Sequence, residues 1–572
     1  MGIVRLFCCV IAVLFTVIMA VGASPIHVGM ALDTAHMRTE DIDSALDAAQ
    51  SSGIDRITIT ADWAQIQPKQ DSWNFAKLDA LIAAAQQRKL DIVLVPGPAP
   101  RWTVTYLGKN PSAVEVSRAR PDLNAYREFM SGLARRYEQK VTYFQLWERP
   151  NAKTLLARPA DVYALYREGA RAVHDRNPSL RTIIVEPGDV NMNWIADYLR
   201  TSIGSSRADI IALAPVHTNS GSLQPFAWHI QALHDRVLHG RDTPQLWVDA
   251  TASDDTLPFA SIALLEGISN VTFAQHNMKS ATDDNGMASP RFLSRLRNTA
   301  YLGWVTPSHD VIGGMFGDTR ENRYLLLLST GADSTVQVLP STRDDKGSII
   351  AEATDVTVYV PGSSSASLPV RGETPLAIPS MKPVIVAGVH TAITPGVPSF
   401  APQPVATSSV SLDLSGIDPS GIHPLPDLPG GQYSDYNLMG HHIISTLRDE
   451  QPWLHFDVPD GFLFYNTQRI PVEVTVTVLG VLTREKSGFN LYYDAVGGMR
   501  NTSWQWINTG TENEFSYTFR LNDALFAGSE GYDFRVNMGG SDENVRVIGV
   551  TIKKVSSGTA SVTTATNRQT TD

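Results

Sequence analysis

The sequence predicts a multidomain chain: a (β/α)8 TIM barrel, then a small β-domain, then a C-terminal jelly-roll β-sandwich. Three observations predict it. From about residue 27 to 305, apolar strand-like runs alternate with segments of helical period. Beyond Trp304 the helical period disappears and short alternating runs take over. At 572 residues the chain is too long for one ordinary domain. Strand–helix alternation implies a parallel sheet, and eight such units suit a closed barrel. A doubly wound open sheet has fewer strands and a Gly-rich first turn, which "ALDTAH" is not.

The N-terminal segment reads "MGIVRLFCCVIAVLFTVIMAVGAS". Arg5, an apolar run from Leu6 to Ala20, and small residues Val21 and Ala23 mark residues 1–23 as a secretory signal peptide. The alternative is an uncleaved anchor, because the run approaches spanning length. Both cysteines, Cys8 and Cys9, lie in this segment. The mature chain then has no disulfide and no thiolate metal site. A secreted or periplasmic protein with no membrane span after cleavage is expected. Hydrophobic residues make up 43% and the net charge is −11. Sizeable cores can therefore form, and the charge argues against nucleic acid or an anionic membrane surface as the main partner.

The barrel is expected over 24–308. Its strands are "HVGMALD", "IDRITIT", "DIVLVPG", "VTYFQLW", "RTIIVE", "DIIALAP", "QLWVDA" and "VTFAQHN", each followed by a helical pattern. The segment with Tyr126, Phe129, Met130 and Leu133 on one face is an example. Residues 309–389 carry "RYLLLLST", "STVQVLP", "DVTVYVPG" and "KPVIVAG", the strands of a small β-domain. Residues 390–432 are rich in Pro, Ser and Gly and read as a linker, although "SVSLDLSG" has strand character. Over 433–556, "PVEVTVTVLG" alternates strictly, and "FSYTFRL", "YDFRVNMG" and "RVIGVTIKKV" continue the pattern of a jelly roll. The polar tail 557–572 reads as disordered.

In such barrels the chemistry sits where the strands end. Those ends carry Asp33, Trp63, Trp102, Trp147, Glu148, Arg149, Asn151, Glu186, His217, Trp247, Asp249, Gln275 and His276. Indoles stack on pyranose rings, and carboxylates, Asn and Arg hydrogen-bond hydroxyls, so the set suits a polysaccharide or oligosaccharide. Trp247 lies within its strand and is expected in the core, whereas Trp102, in a Pro-rich loop, is expected at the site. No cofactor or metal is expected.

"DRITITADWAQIQPKQDSWNFAKLDALIAAAQQRKLDIVLVPGPAPRW" followed by "YFQLWERPN" resembles the clan A glycoside hydrolases, nearest the family thirty-nine xylosidase-like branch. The likeness covers the barrel and extends weakly into the next β-domain. It implies a general acid/base Glu in a W-N-E-P-N motif on strand four and a nucleophile Glu in a W-I-T-E-like motif on strand seven. Here Trp147, Pro150 and Asn151 match, Glu148 takes the Asn position and Arg149 takes the acid/base position. In "WVDA", Asp249 precedes the nucleophile position, which Ala250 fills. The strand-six end, His-Pro-Tyr-like in the family, reads "LAPV".

Retaining hydrolysis needs two carboxyl groups roughly 5–5.5 Å apart. Arg, with a pKa above about 12, cannot serve as the acid near neutral pH. A pseudoenzyme that binds a polysaccharide, with hydrolysis lost or much reduced, is the first reading. The second is an active glycoside hydrolase using displaced carboxylates: Glu148, Asp249 or Glu186. Alternation along a strand is expected to turn Glu148 and Asp249 away from the family direction, unless the strand end bulges. The third is a non-catalytic scaffold in polysaccharide export or assembly that holds partner proteins. In the C-terminal module, Tyr492, Tyr493, Trp504 and Trp506 are the candidate carbohydrate contacts, with burial in the core as the alternative for the Trp pair. Asp494, Asp533, Asp542 and Glu543 lack the spacing of a calcium site.

Overall fold

The computed structural model describes residues 24–555 apart from some stretches, chief among them 151–154, 216–223, 252–256, 275–287, 341–348, 390–406 and 415–420. Residues 1–23, expected to be a signal peptide, and the tail 557–572 lie outside the described residues. Two compact units divide the chain, 1–400 and 401–572.

In the first unit, parallel strands close into a barrel in sequence order. They are β1 (His27–Leu32), β2 (Arg56–Ala61), β3 (Asp91–Pro96), β4 (Tyr143–Gln145), β5 (Arg181–Val185), β6 (Ile210–Leu213), β7 (Gln245–Ala250) and β8 (Asn270–Ala274). β8 returns to β1 with His27 opposite Asn270 and Ala31 opposite Ala274. The strands are Val- and Ile-rich because helices cover one face and the barrel interior buries the other. Alternation sends Val93, Ile183, Ile210, Ala212 and Trp247 inward, where they pack as one cluster with Tyr143. Below them Arg56, 3% exposed, stacks over Trp247 at 4.4 Å and Tyr143 at 4.6 Å and donates to Asn270. These groups fill the N-terminal end of the barrel.

The helix Leu123–Tyr137 shows how the outer layer positions the strand ends. Asp122 caps it, its carboxylate accepting the amides of Asn124 and Ala125 at 3.0 Å. Tyr126, Phe129, Met130 and Leu133 recur at three- and four-residue steps and are all buried. The Tyr126 hydroxyl donates to the Leu146 carbonyl, just past β4, so this helix fixes the chain where "WERPN" begins. The helix Pro159–His174 packs beside it, and Gly169 allows the approach. A Cβ there would lie 2.6 Å from the Tyr126 hydroxyl and 3.1 Å from Leu146 Cδ2.

The rest of this unit is β. β9 (Ala300–Ser308), β10 (Val311–Gly317), β11 (Arg323–Ser329), β14 (Asp355–Tyr359), β15 (Ala366–Pro369) and β17 (Val384–Ala387) form one sheet, ordered β15-β14-β17-β11-β10-β9. β12 (Ser334–Leu339), β13 (Ile349–Ile350) and β16 (Thr374–Ile378) form a second. Leu325, Leu327, Val336, Val338, Val384 and Val386 lie in the core they share.

The second unit has two antiparallel sheets. One runs β20 (Ser434–Leu438), β21 (His441–Ser445), β29 (Arg546–Lys554), β23 (Val472–Leu479), β27 (Glu514–Leu521), with β18 (Ser409–Ser411) added to β29. The other runs β19 (His423–Pro424), β22 (Trp453–Asp457), β28 (Phe534–Asn537), β24 (Gly488–Ala495), β25 (Gly498–Asn501), with β26 (Gln505–Trp506) added to β24. The strict alternation of "VEVTVTV" is realised: Val472, Val474, Val476 and Val478 face a core shared with Phe489, Leu491, Phe534 and Val536 of the other sheet. β18 and β19 arise within the Pro-, Ser- and Gly-rich stretch.

In an exposed helix, Gly→Ala stabilises by about 1 kcal/mol. Gly169→Ala is expected to do the reverse, costing about 1–3 kcal/mol by overpacking against the Tyr126 hydroxyl. Thermal melts of Gly169→Ala and of Gly169→Ala combined with Tyr126→Phe check this, the second change restoring part of the loss.

Candidate active site

β4 is only three residues long, and its early end decides what faces the mouth. The Gln145 side-chain amide donates to the Trp147 carbonyl at 2.9 Å, curling the chain out of strand geometry. With alternation lost, Glu148 and Arg149 both line one cavity, together with Asp249, Gln145, Thr60 and Trp247. Its volume is about 260 Å³. The expectation that Glu148 is turned away is therefore corrected, because it follows a strand that has already stopped.

Asp249 is corrected for a different reason. β7 continues to Ala250, so Asp249 lies within the strand rather than beyond it. Trp247, Val248 and Asp249 line the cavity, while Ala250 is fully buried and absent from its lining. The last strand-seven residue on the lining is thus the carboxylate itself. Burial raises the Asp249 pKa, and the Thr251 hydroxyl, the Arg149 charge and the Thr251 amide, 3.2 Å from its Oδ1, pull the other way.

Glu186 is the candidate that the structure removes from the cavity. It is 0% exposed and does not line the cavity. Its carboxylate accepts backbone amides from Gly188 at 2.7 Å, Ala214 at 2.8 Å, and Val190 and Asn191 at 3.3 Å. It ties the end of β5 to the end of β6 and to the turn before the helix Met192–Thr201. A buried carboxylate surrounded by amide donors is structural, with its lone pairs already engaged.

Two of the expected stacking indoles are also corrected. Trp63 is 0% exposed, because the chain turns into the helix Trp63–Ile66 directly after β2. Asp62 caps that helix, accepting the Gln65 amide at 3.0 Å, and Trp63 stacks on Phe129 with centroids 4.6 Å apart. Trp147, 2% exposed, packs edge-on against Tyr126 at 5.6 Å. Both belong to the layer between barrel and helices. Trp102 is half-buried, donates to the Gln67 carbonyl at 3.0 Å and meets Trp63 edge-on. Trp247 is in the barrel core, as its place within a strand predicts, and forms part of the cavity floor. Asp33, Asn151, His217, Gln275 and His276 lie outside the described residues. Thr60, a cavity residue, escaped sequence reasoning; the inward phase of "RITIT" is the signal that finds it.

In the second unit, Tyr492 and Tyr493 are strand neighbours and face opposite sides. Tyr493 is 7% exposed, joins the core and donates to Asp523 at 2.8 Å. Tyr492 is half-buried on the other face. Trp506 is 53% exposed, and Trp504 meets it edge-on with centroids 5.9 Å apart. Asp494 and Asp533 are buried, accepting the amides of Ala527 and Gly528, each at 2.9 Å. Among the described residues no His, Cys, Asp and Glu group could hold a metal, and no helix is long and apolar enough to cross a membrane.

The fold is a closed barrel of eight parallel strands with a cavity lined by residues at and within the strands. Residues 33–145 match the Glyco_hydro_42 family model, described as Beta-galactosidase. That stretch runs from the end of β1 to the last residue of β4, so it covers frame and stops short of Glu148. Among solved structures, the chain is similar to a family 39 glycoside hydrolase from the gut symbiont Bacteroides cellulosilyticus WH2, at 14% identity and TM-score 0.46 over 64% of this chain and 81% of that one. It is similar to a GH30 endoxylanase from Clostridium papyrosolvens C71, at 12% identity and TM-score 0.45 over 64% and 97%. It is also similar to a glucosidase from Croceicoccus marinus, at 12% identity and TM-score 0.42 over 65% and 98%. No curated protein matches.

Two outcomes follow. Glu186→Gln replaces an acceptor oxygen by an NH2 that faces backbone donors, and is expected to destabilise the first unit by about 2–4 kcal/mol. Urea melts check this. Asp249→Asn is expected to stabilise. A raised folded pKa means that the folded state binds the extra proton, so stability falls as pH rises from the unfolded value of about 3.9 through the folded pKa. Melts of both proteins should coincide at low pH and separate above that window, with the Asn variant higher.

Proposed function

We propose that this chain is a polysaccharide-binding protein built on a glycoside-hydrolase-like barrel, with retaining hydrolysis lost or much reduced. The observation that carries the reading is Arg149. At the position where the resemblance expects a proton donor, a permanent cation lines the cavity and acts on Asp249. A guanidinium donates hydrogen bonds to sugar hydroxyls or to a carboxylate but does not release a proton near neutral pH. Glu148, Arg149 and Gln145 then supply a polar wall and Trp247 an apolar floor, a combination suited to a saccharide. A secreted or periplasmic location fits this reading.

A second reading is favoured by one observation: Glu148 and Asp249 line the same cavity. In that reading they form an acid–nucleophile or acid–base pair, and Asp249, whose pKa burial raises, is the candidate acid.

Incubation of the full chain with a polysaccharide panel separates the two. The first reading expects retardation on an affinity gel containing one glycan, weakened about ten-fold by Arg149→Ala, with reducing ends at background. Release of reducing ends that falls roughly 10²–10⁴-fold in Glu148→Gln or Asp249→Asn would establish the second.

A further inference from the structure

Arg535, in the C-terminal unit, stands out by its surroundings. In β22, β28 and β24, Leu454, Phe456, Phe534, Val536, Phe489 and Leu491 face the core. Alternation therefore puts Trp453, Arg535, Asn537, Asn490 and Tyr492 on the opposite face of the sheet. The register brings Arg535 opposite Tyr492, and Asn537 opposite both Trp453 and Asn490. The Arg535 guanidinium carbon lies 4.0 Å from the Trp453 ring centre and 4.9 Å from that of Tyr492. Two rings hold the cation in place. Among the described residues Arg535 has no ion pair, and its Nε is buried without a hydrogen-bond partner. Arg500, Arg520, Arg546 and Arg448 of the same unit each pair with a carboxylate.

The neighbouring polar groups are ordered as well. Trp453 Nε1 donates to Asn537 Oδ1 at 3.0 Å, and Asn537 Nδ2 donates to Asn490 Oδ1 at 2.9 Å. Asn490 Nδ2 continues to the Thr502 carbonyl at 3.3 Å. His455, directly across from Arg535, is held neutral: burial and the Arg535 charge push its pKa down to about 3. It adds no second charge to this face.

We infer that this sheet face is a binding site for a carboxylate-bearing saccharide, with Arg535 taking the carboxylate and the flanking Trp453 and Tyr492 packing on the sugar. The inference rests on the polysaccharide reading and extends it to an acidic glycan. A stacked guanidinium keeps its planar donor fork for a carboxylate, which accepts it in two parallel bonds. Fixed amides beside aromatic rings suit hydroxyl-bearing rings better than an acidic peptide.

The test is calorimetric titration of the full chain with a galacturonic acid oligomer and with its carboxyl-reduced counterpart. The expected result is at least about ten-fold tighter binding of the acidic oligomer, a preference that weakens with added salt. Arg535→Gln should abolish the preference and Arg535→Lys, which keeps the charge without the fork, should reduce it. Arg500→Gln, which removes a paired arginine, should leave it unchanged and guards against a general charge effect. The inference is overturned if the wild-type chain shows no acidic preference, if Arg535→Gln keeps it, or if a polyglutamate peptide binds as tightly through Arg535. Arg149-dependent glycan binding with no acidic preference attributable to Arg535 would sink this inference and leave the polysaccharide reading standing. An Arg535-dependent preference with no role for Arg149 would support this inference and remove only the barrel cavity's part in glycan binding.

Discussion

The hydrogen bond from the Gln145 side chain to the Trp147 carbonyl, with the Tyr126 hydroxyl holding the Leu146 carbonyl beside it, sets the geometry of the cavity. These bonds stop β4 at its third residue and turn the chain. A longer strand would have sent Glu148 and Arg149 to opposite faces. The curl brings both to the cavity, a carboxylate next to a guanidinium, across from Asp249 on β7. The juxtaposed charges in "WERPN" thus have a common direction, set by an outer helix and a glutamine rather than by the strand.

Around that cavity, polar side chains divide into structural and accessible sets. Glu186 and Arg56 are both buried, but each is engaged by neighbours: Glu186 by backbone amides at the strand ends, Arg56 by two aromatic rings and Asn270 at the floor. A charge removed from water persists only where such partners replace its hydration. Glu148, Arg149 and Asp249 line the cavity, and Asp249 also accepts the Thr251 amide. Arg535 in the second unit is a third case, a cation positioned by rings whose Nε has no acceptor among the described residues.

Much of the fold was legible in the sequence. The strand runs of the barrel are where the alternating pattern puts them, and the alternation of "PVEVTVTVLG" is the alternation of β23. Repetition made these signals strong, since each strand repeats the same inside–outside constraint. The site was less legible because it depends on where a strand stops. Trp63 and Trp147 sit at strand ends in sequence, yet a capped helix and a curled chain turn both indoles into the interlayer core. The Asp62–Trp63 pair carried a cap signal that marks this turn. The amide cage of Glu186 has no local signature, since Ala214 reaches it from the next strand. Arg535 sits in the regular run "YDFRVNMG", and its ring partners come from two other strands, so no sequence window contains them.

The central claim is that the barrel keeps a saccharide cavity in which Arg149 stands at the proton donor's position and retaining hydrolysis is lost or much reduced. The most direct measurement is the intact mass of the chain after incubation with activated 2-fluoro glycosides, whose good leaving group removes the need for an acid. An unchanged mass, together with retention of the parent glycan, is the predicted result. A stable glycosyl adduct mapped to Asp249 or Glu148 would contradict it.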